Sequence, residues 1–131
     1  MKPPSVVREL QAAIGKRWVL HAPEDLMVYE YDATIERGLP EAVVLPATTE
    51  EAAAAVRIAR KHNLPVTARG SGTGLSGGAI PCEGGVVIVT TRMNRILEID
   101  AESRFAVVQP GVINLHISQA VAPHNLYFAP D

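Results

Sequence analysis

The fold turns on one stretch, Ala68-Arg69-Gly70-Ser71-Gly72-Thr73-Gly74-Leu75-Ser76-Gly77-Gly78-Ala79-Ile80-Pro81. Seven of the ten glycines of the 131-residue chain lie between residues 70 and 85. Ordering such a stretch is costly in chain entropy. Glycine compensates by admitting positive φ and by lacking the Cβ that would keep a ligand off the backbone. Successive amides can then converge on one concavity and bind anionic oxygens. The hydroxyls of Ser71, Thr73 and Ser76 add donors. From Ala52 to Cys82 there is no Asp or Glu, whereas Arg57, Arg60, Lys61 and Arg69 lie in that window. The loop therefore reads as a holder of phosphates. Arg69 has two readings, a cation that neutralises a phosphate or a surface residue ending a strand.

The flanks set the loop in a βαβ context. Upstream, Ala42-Val43-Val44-Leu45 is a short apolar run ending at Pro46 and reads as a buried strand. Thr48-Thr49-Glu50-Glu51 has the form of a capping box. The spacing predicts a helix from about Thr49 to His62, with Ala52, Ala55, Val56 and Ala59 as its packing stripe. Lys61 and His62 place positive charge at its C-terminus, and Asn63 suits a left-handed stop. Pro65 to Arg69 is the next strand, parallel to the first. Downstream, Val86 to Val89 is a third strand. Arg95 to Asp100 and Phe105 to Gln109 form an antiparallel hairpin across Ala101-Glu102-Ser103-Arg104. Pro110-Gly111 ends it, and Val112 to Ala122 reads as a helix. At the other end, Val6, Val7, Leu10 and Ile14 give a helix over Ser5 to Ile14 that stops at Gly15. Trp18 to Leu39 reads mainly as loop.

Two familiar phosphate loops do not fit. Gly72 to Gly77 matches G-x-G-x-x-G, and Glu98 and Asp100 lie at the distance that motif favours. A Rossmann loop must however open a crossover helix. Pro81 and Gly84-Gly85 leave no room for one before Val86. A Walker A loop fails because no Lys-Ser or Lys-Thr pair follows the glycines.

Composition narrows the function classes. The chain is 47% hydrophobic and 20% charged, ordinary for a globular domain. The net charge of -2 offers no basic field for nucleic acid. Cys82 is the single cysteine, so no intrachain disulfide can form, and no metal centre is expected. No apolar run is long enough to span a bilayer, and the N-terminus lacks a secretory h-region. A cytoplasmic location is the default, with peripheral attachment at the inner membrane through partners left open.

The motif ARGSGTGLSGGAIP (68–81), preceded by LPATTEEAAAAVRIARKHNLPV (45–66), resembles the FAD-binding domain of the vanillyl-alcohol-oxidase or PCMH type. Within that family it is most like the glycolate oxidase flavin subunit and the D-lactate dehydrogenases. MNRILEID (93–100), VVQPGVINLHISQAV (107–121) and FAPD (128–131) follow in the same order. The resemblance implies an α+β PCMH-type domain. Residues 1–40 would be an N-terminal helix and lead-in, and residues 41–131 the first part of that domain, truncated at its C-terminus.

The resemblance also implies roles. The amides of Gly70, Ser71, Gly72, Thr73 and Gly74 would wrap the FAD pyrophosphate, with Gly77 and Gly78 supporting the turn. Pro110, Gly111, Val112, Pro130 and Asp131 match stretches that line the flavin or adenosine. Members that tether flavin through this loop usually place His where Thr73 stands, so FAD should be non-covalent here. The complete protein would move a hydride equivalent from the α-carbon of a small 2-hydroxy acid, glycolate or D-lactate, to the flavin. Electrons would pass to a quinone, an iron–sulfur partner subunit or oxygen. The catalytic residues are unassigned: His21, His62, His116 and His124 form no His/Asp or His/Ser constellation. Three alternatives remain: a non-catalytic flavin-binding subunit, an NADPH-dependent cell-wall reductase of the same fold, and an NAD-binding domain, disfavoured by the missing helix.

Overall fold

The computed structural model describes residues 4–81 and 83–129. Cys82, Pro130 and Asp131, singled out above, lie outside the described residues. The chain forms two compact units, Met1–Arg92 and Met93–Asp131.

The first unit is a four-stranded sheet with two long helices and a third of one turn. Its elements are α1 (Ser5–Ile14), β1 (Val19–Leu20), α2 (Pro23–Leu26), β2 (Ala42–Val44), α3 (Thr49–Lys61), β3 (Val66–Arg69) and β4 (Val86–Val89). The sheet order is β1-β2-β4-β3. β4 pairs in parallel with both β2 and β3, and β1 is antiparallel to β2. The expected βαβ unit is present, but β4 lies between its two strands. β3 is thereby an edge, and the glycine loop carries the chain from this edge back into the centre of the sheet.

Alternation along the strands explains why an unbroken apolar run suits the middle. Ala42, Val44, Val86 and Ile88 pack with Val6, Val7, Leu10 and Ile14 of α1 and Ala55 and Ala59 of α3. Val43, Val87 and Val89 point the other way, against Leu26, Leu20 and Tyr29. A strand covered on both faces has no position for a polar side chain. Burial of each such valine or isoleucine is worth about 1.5–3 kcal/mol. The small residues Ala55 and Ala59 let α3 approach the sheet closely.

Three expectations need correction. Trp18 to Leu39, read mainly as loop, contains β1, the one-turn α2 and a 3₁₀ turn at Met27–Tyr29, and begins on the last residue of another at Lys16–Trp18. These elements are too short for any periodicity, and β1 exists only because β2 pairs with it. The stripe of α3 is Ala55, Ile58 and Ala59, while Val56 is exposed. The i, i+3, i+4 rule selects that face once the sheet fixes the helix rotation. The capping box is also shifted by one amide. Glu51 N–H donates to Thr48 Oγ1 at 3.2 Å, but the Glu51 carboxylate accepts from Ala47 N–H at 2.7 Å, not from Thr48.

The second unit holds the expected hairpin, β5 (Ile96–Asp100) with β6 (Phe105–Val108), and α4 (Asn114–Val121). A bulge falls between Ile96 and Glu98. Arg104 adopts φ 58° to close the turn, and Asp100 Oδ1 accepts from Ser103 N–H at 2.8 Å. The helix begins two residues later than predicted, because Val112 N–H bonds the Gln109 carbonyl in a turn.

Candidate functional site

The loop leaves β3 at Arg69 and re-enters the sheet at Val86. Ile80 and Pro81 are buried and anchor its far side. Between them the chain is open: Gly70, Ser71, Thr73, Gly74, Ser76 and Gly78 are exposed. Among the described residues, no amide from Ser71 to Ala79 donates to another backbone group. A run of amides free of backbone partners is what an anionic ligand needs.

The glycines divide into two kinds. At Gly72, φ is +75°, and a Cβ would fall on the guanidinium of Arg69. At Gly85, φ is +78°, and a Cβ would fall on the Pro65 carbonyl oxygen. Gly85 is where three strands start: its carbonyl accepts from Glu41 and Ala42, and Val86 N–H donates to Pro65 at 2.9 Å. These two positions are demanded by the fold. Gly70, Gly74 and Gly78 are not, since a Cβ at any of them would meet nothing within 4 Å. Packing among the described residues gives no reason for these three glycines.

Of the two readings of Arg69 made from the sequence alone, the structure contradicts the surface one: the residue is only 7% exposed. Its Nη1 donates to the Tyr31 carbonyl at 2.6 Å, and its guanidinium lies 5.5 Å from the centre of the Tyr29 ring. Tyr29, Tyr31 and Asp32 were missed in the sequence, because they sit in a stretch without periodicity. The local signal for Asp32 was its D-x-T spacing, which makes an Asx turn: Thr34 N–H donates to Asp32 Oδ1 at 2.8 Å.

The other candidates are dispersed. Pro110, Gly111 and Val112 belong to the second unit, where Gly111 N–H donates to the Met93 carbonyl at 2.8 Å. His62 ends α3, as expected, and its Nε2 lies 3.0 Å from Glu9 Oε1. Lys61 Nζ reaches the other Glu9 oxygen at 2.9 Å, so this pair ties α3 to α1. Among the described residues no group of three His, Cys, Asp or Glu side chains could hold a metal. No helix among them is long and apolar enough to cross a membrane.

The family described as an FAD binding domain matches residues 40–131. This chain belongs to that family. It is 48% identical over 128 residues to the glycolate oxidase subunit GlcD of Escherichia coli, covering 97% of this chain and 26% of that protein. It is 40% identical over 107 residues to the D-lactate dehydrogenase of Archaeoglobus fulgidus, covering 78% and 24%. Among solved structures, p-cresol methylhydroxylase with substrate bound superposes with a TM-score of 0.80 at 28% identity, over 92% of this chain and 24% of that one. The chain thus spans about a quarter of the length of the relatives it matches. The α+β PCMH-type fold expected from the sequence is shown, and FAD is the cofactor of the family.

Proposed function

We propose that this chain holds FAD for an FAD-linked oxidoreductase acting on a small 2-hydroxy acid. The glycine loop takes the pyrophosphate through the amides of Gly70, Ser71, Gly72, Thr73 and Gly74, with Ser76, Gly77 and Gly78 shaping the turn. The single observation that carries this is the set of glycines whose missing Cβ the fold does not require, on a loop with free amides. Thr73 has no ring nitrogen to bond a flavin, so the cofactor is held non-covalently. Pro110, Gly111, Val112, Pro130 and Asp131 are assigned to the flavin or adenosine on the family resemblance alone. Bound flavin supplies the acceptor for a hydride equivalent. The chain's own part is to orient that cofactor, and substrate recognition falls to the length of polypeptide that the relatives have beyond the match. A cytoplasmic setting and iron–sulfur partner subunits accompany this reading.

A second reading is a flavin-carrying subunit with no substrate site. It is favoured by one relative being named a subunit. Turnover of glycolate or D-lactate by the complete polypeptide separates the two.

Gly74→Val tests the cofactor loop. The new side chain has open space around it, so the melting temperature should stay within about 2 °C. FAD binding, followed by flavin fluorescence, should be lost, and acid precipitation of the wild-type complex should leave flavin in the supernatant. A folded G74V protein with unchanged FAD affinity would refute the loop assignment.

A further inference from the structure

Residues 30–38 follow the 3₁₀ turn Met27–Tyr29 and close on themselves. Gly38 N–H donates to the Glu30 carbonyl at 2.8 Å, so the two ends meet as in an Ω loop. Inside it, Thr34 N–H donates to Asp32 Oδ1 at 2.8 Å and Glu36 N–H to Thr34 Oγ1 at 3.3 Å. Tyr31, Ile35, Glu36 and Arg37 are exposed, Ile35 at 96%. Among the described residues, one hydrogen bond ties this loop to the rest of the chain, and Arg69 donates it.

The same guanidinium touches the glycine loop. Its Nη1 donates to the Tyr31 carbonyl at 2.6 Å, while its Nη2 and Cζ fill the place that a Cβ of Gly72 would take. The residue is buried, so close packing limits how far one contact can shift without the other. We propose that Arg69 is a positioning residue that couples the two loops: an anion gripped by the amides around Gly72 steadies residues 30–38. This rests on the pyrophosphate reading of the glycine loop and adds a second consequence of binding. A bound pyrophosphate fixes the backbone at Gly72. The guanidinium packed against Gly72 is fixed with it, and the Tyr31 carbonyl then accepts from a donor that no longer moves. Order gained at one loop lowers the cost of order at the other. The planar guanidinium suits the task because its nitrogens are held in one rigid fork, with one nitrogen for each loop.

Trypsin reports on the coupling. The bond after Arg37 lies inside the loop, and the bond after Lys16, also exposed, is a reference in the same unit. The wild-type chain and R69M are digested with and without FAD, with saturation read from flavin fluorescence, folding from circular dichroism and each cleavage rate from mass spectrometry. Limited cleavage follows the population of the open loop. In the wild type, FAD should slow cleavage after Arg37 at least about fivefold more than cleavage after Lys16. Without FAD, R69M should be cut after Arg37, relative to Lys16, at least about threefold faster than wild type, because the loop has lost its outside tether. Saturating FAD should leave that ratio in R69M unchanged. If R69M does not fold, R69K takes its place: a single ammonium cannot serve both loops, and the selective protection should again be lost. Equal slowing at both bonds in the wild type, or undiminished selective protection in a folded, saturated Arg69 variant, would overturn the proposal. So would an FAD-free R69M cut no faster after Arg37 than wild type, which decides the matter where FAD does not saturate the variant. A folded wild-type chain that binds no FAD would instead refute the pyrophosphate reading itself.

Discussion

At the scale of single residues, glycine does two different jobs in one loop. Gly72 and Gly85 answer to the backbone, through positive φ and a neighbour that occupies the Cβ position. At Gly70, Gly74 and Gly78 a Cβ would meet nothing within 4 Å among the described residues. The sequence shows all five as equals, because composition carries no φ and no neighbour. The distinction gives a testable contrast with G74V. Gly85→Ala should cost at least about 2 kcal/mol in chemical denaturation, from left-handed strain and the clash with Pro65. Its loss should be one of stability, whereas that of G74V should be one of affinity. Arg69 makes the same point for charge. Its sequence position left it open between a phosphate partner and a surface residue, and only the fold shows that it is buried and bonded to the Tyr31 carbonyl.

At the scale of elements, local rules located most of the helices and strands. α3 begins where Thr48 caps it and ends where Asn63 turns left-handed at φ 55°. Thr48→Ala should lower stability by about 1 kcal/mol, read as a shift in the urea midpoint with unchanged slope. What local rules missed were elements whose reason is elsewhere in the chain. β1 is two residues long and is a strand only by pairing with β2. Ile58 replaces Val56 in the stripe of α3 because the sheet fixes the rotation of the helix. β4 inserts between β2 and β3, an order that no pattern in either strand encodes.

At the scale of the whole molecule, carboxylates in both units are tuned the same way. Glu9 lies below its ordinary 4.5 because Lys61 and then His62 bond it. Asp32 and Asp100 lie below 3.8 through the hydrogen bonds of Thr34 and Ser103 respectively. A lowered folded-state value means that the unfolded chain binds protons first on acidification. Stability from these groups is present above about pH 4.5 and is lost as pH falls through the lowered values. The urea midpoint should hence be flat between pH 7 and 5 and decline below about 4.5. E9Q should be less stable than wild type at pH 7, and the gap should narrow in acid; a constant gap would show that the Glu9 charge is not what ties α1 to α3. Taken by itself, the sequence determined the α+β class, the Thr48 cap of α3, the hairpin and the position of the glycine loop, since these follow from nearest-neighbour chemistry and from spacing. Tertiary structure alone decided the strand order, the burial of Arg69 and Asp32 and the bond from Arg69 to the Tyr31 carbonyl. Those depend on which distant segments meet, and a contact across the fold leaves no periodicity behind.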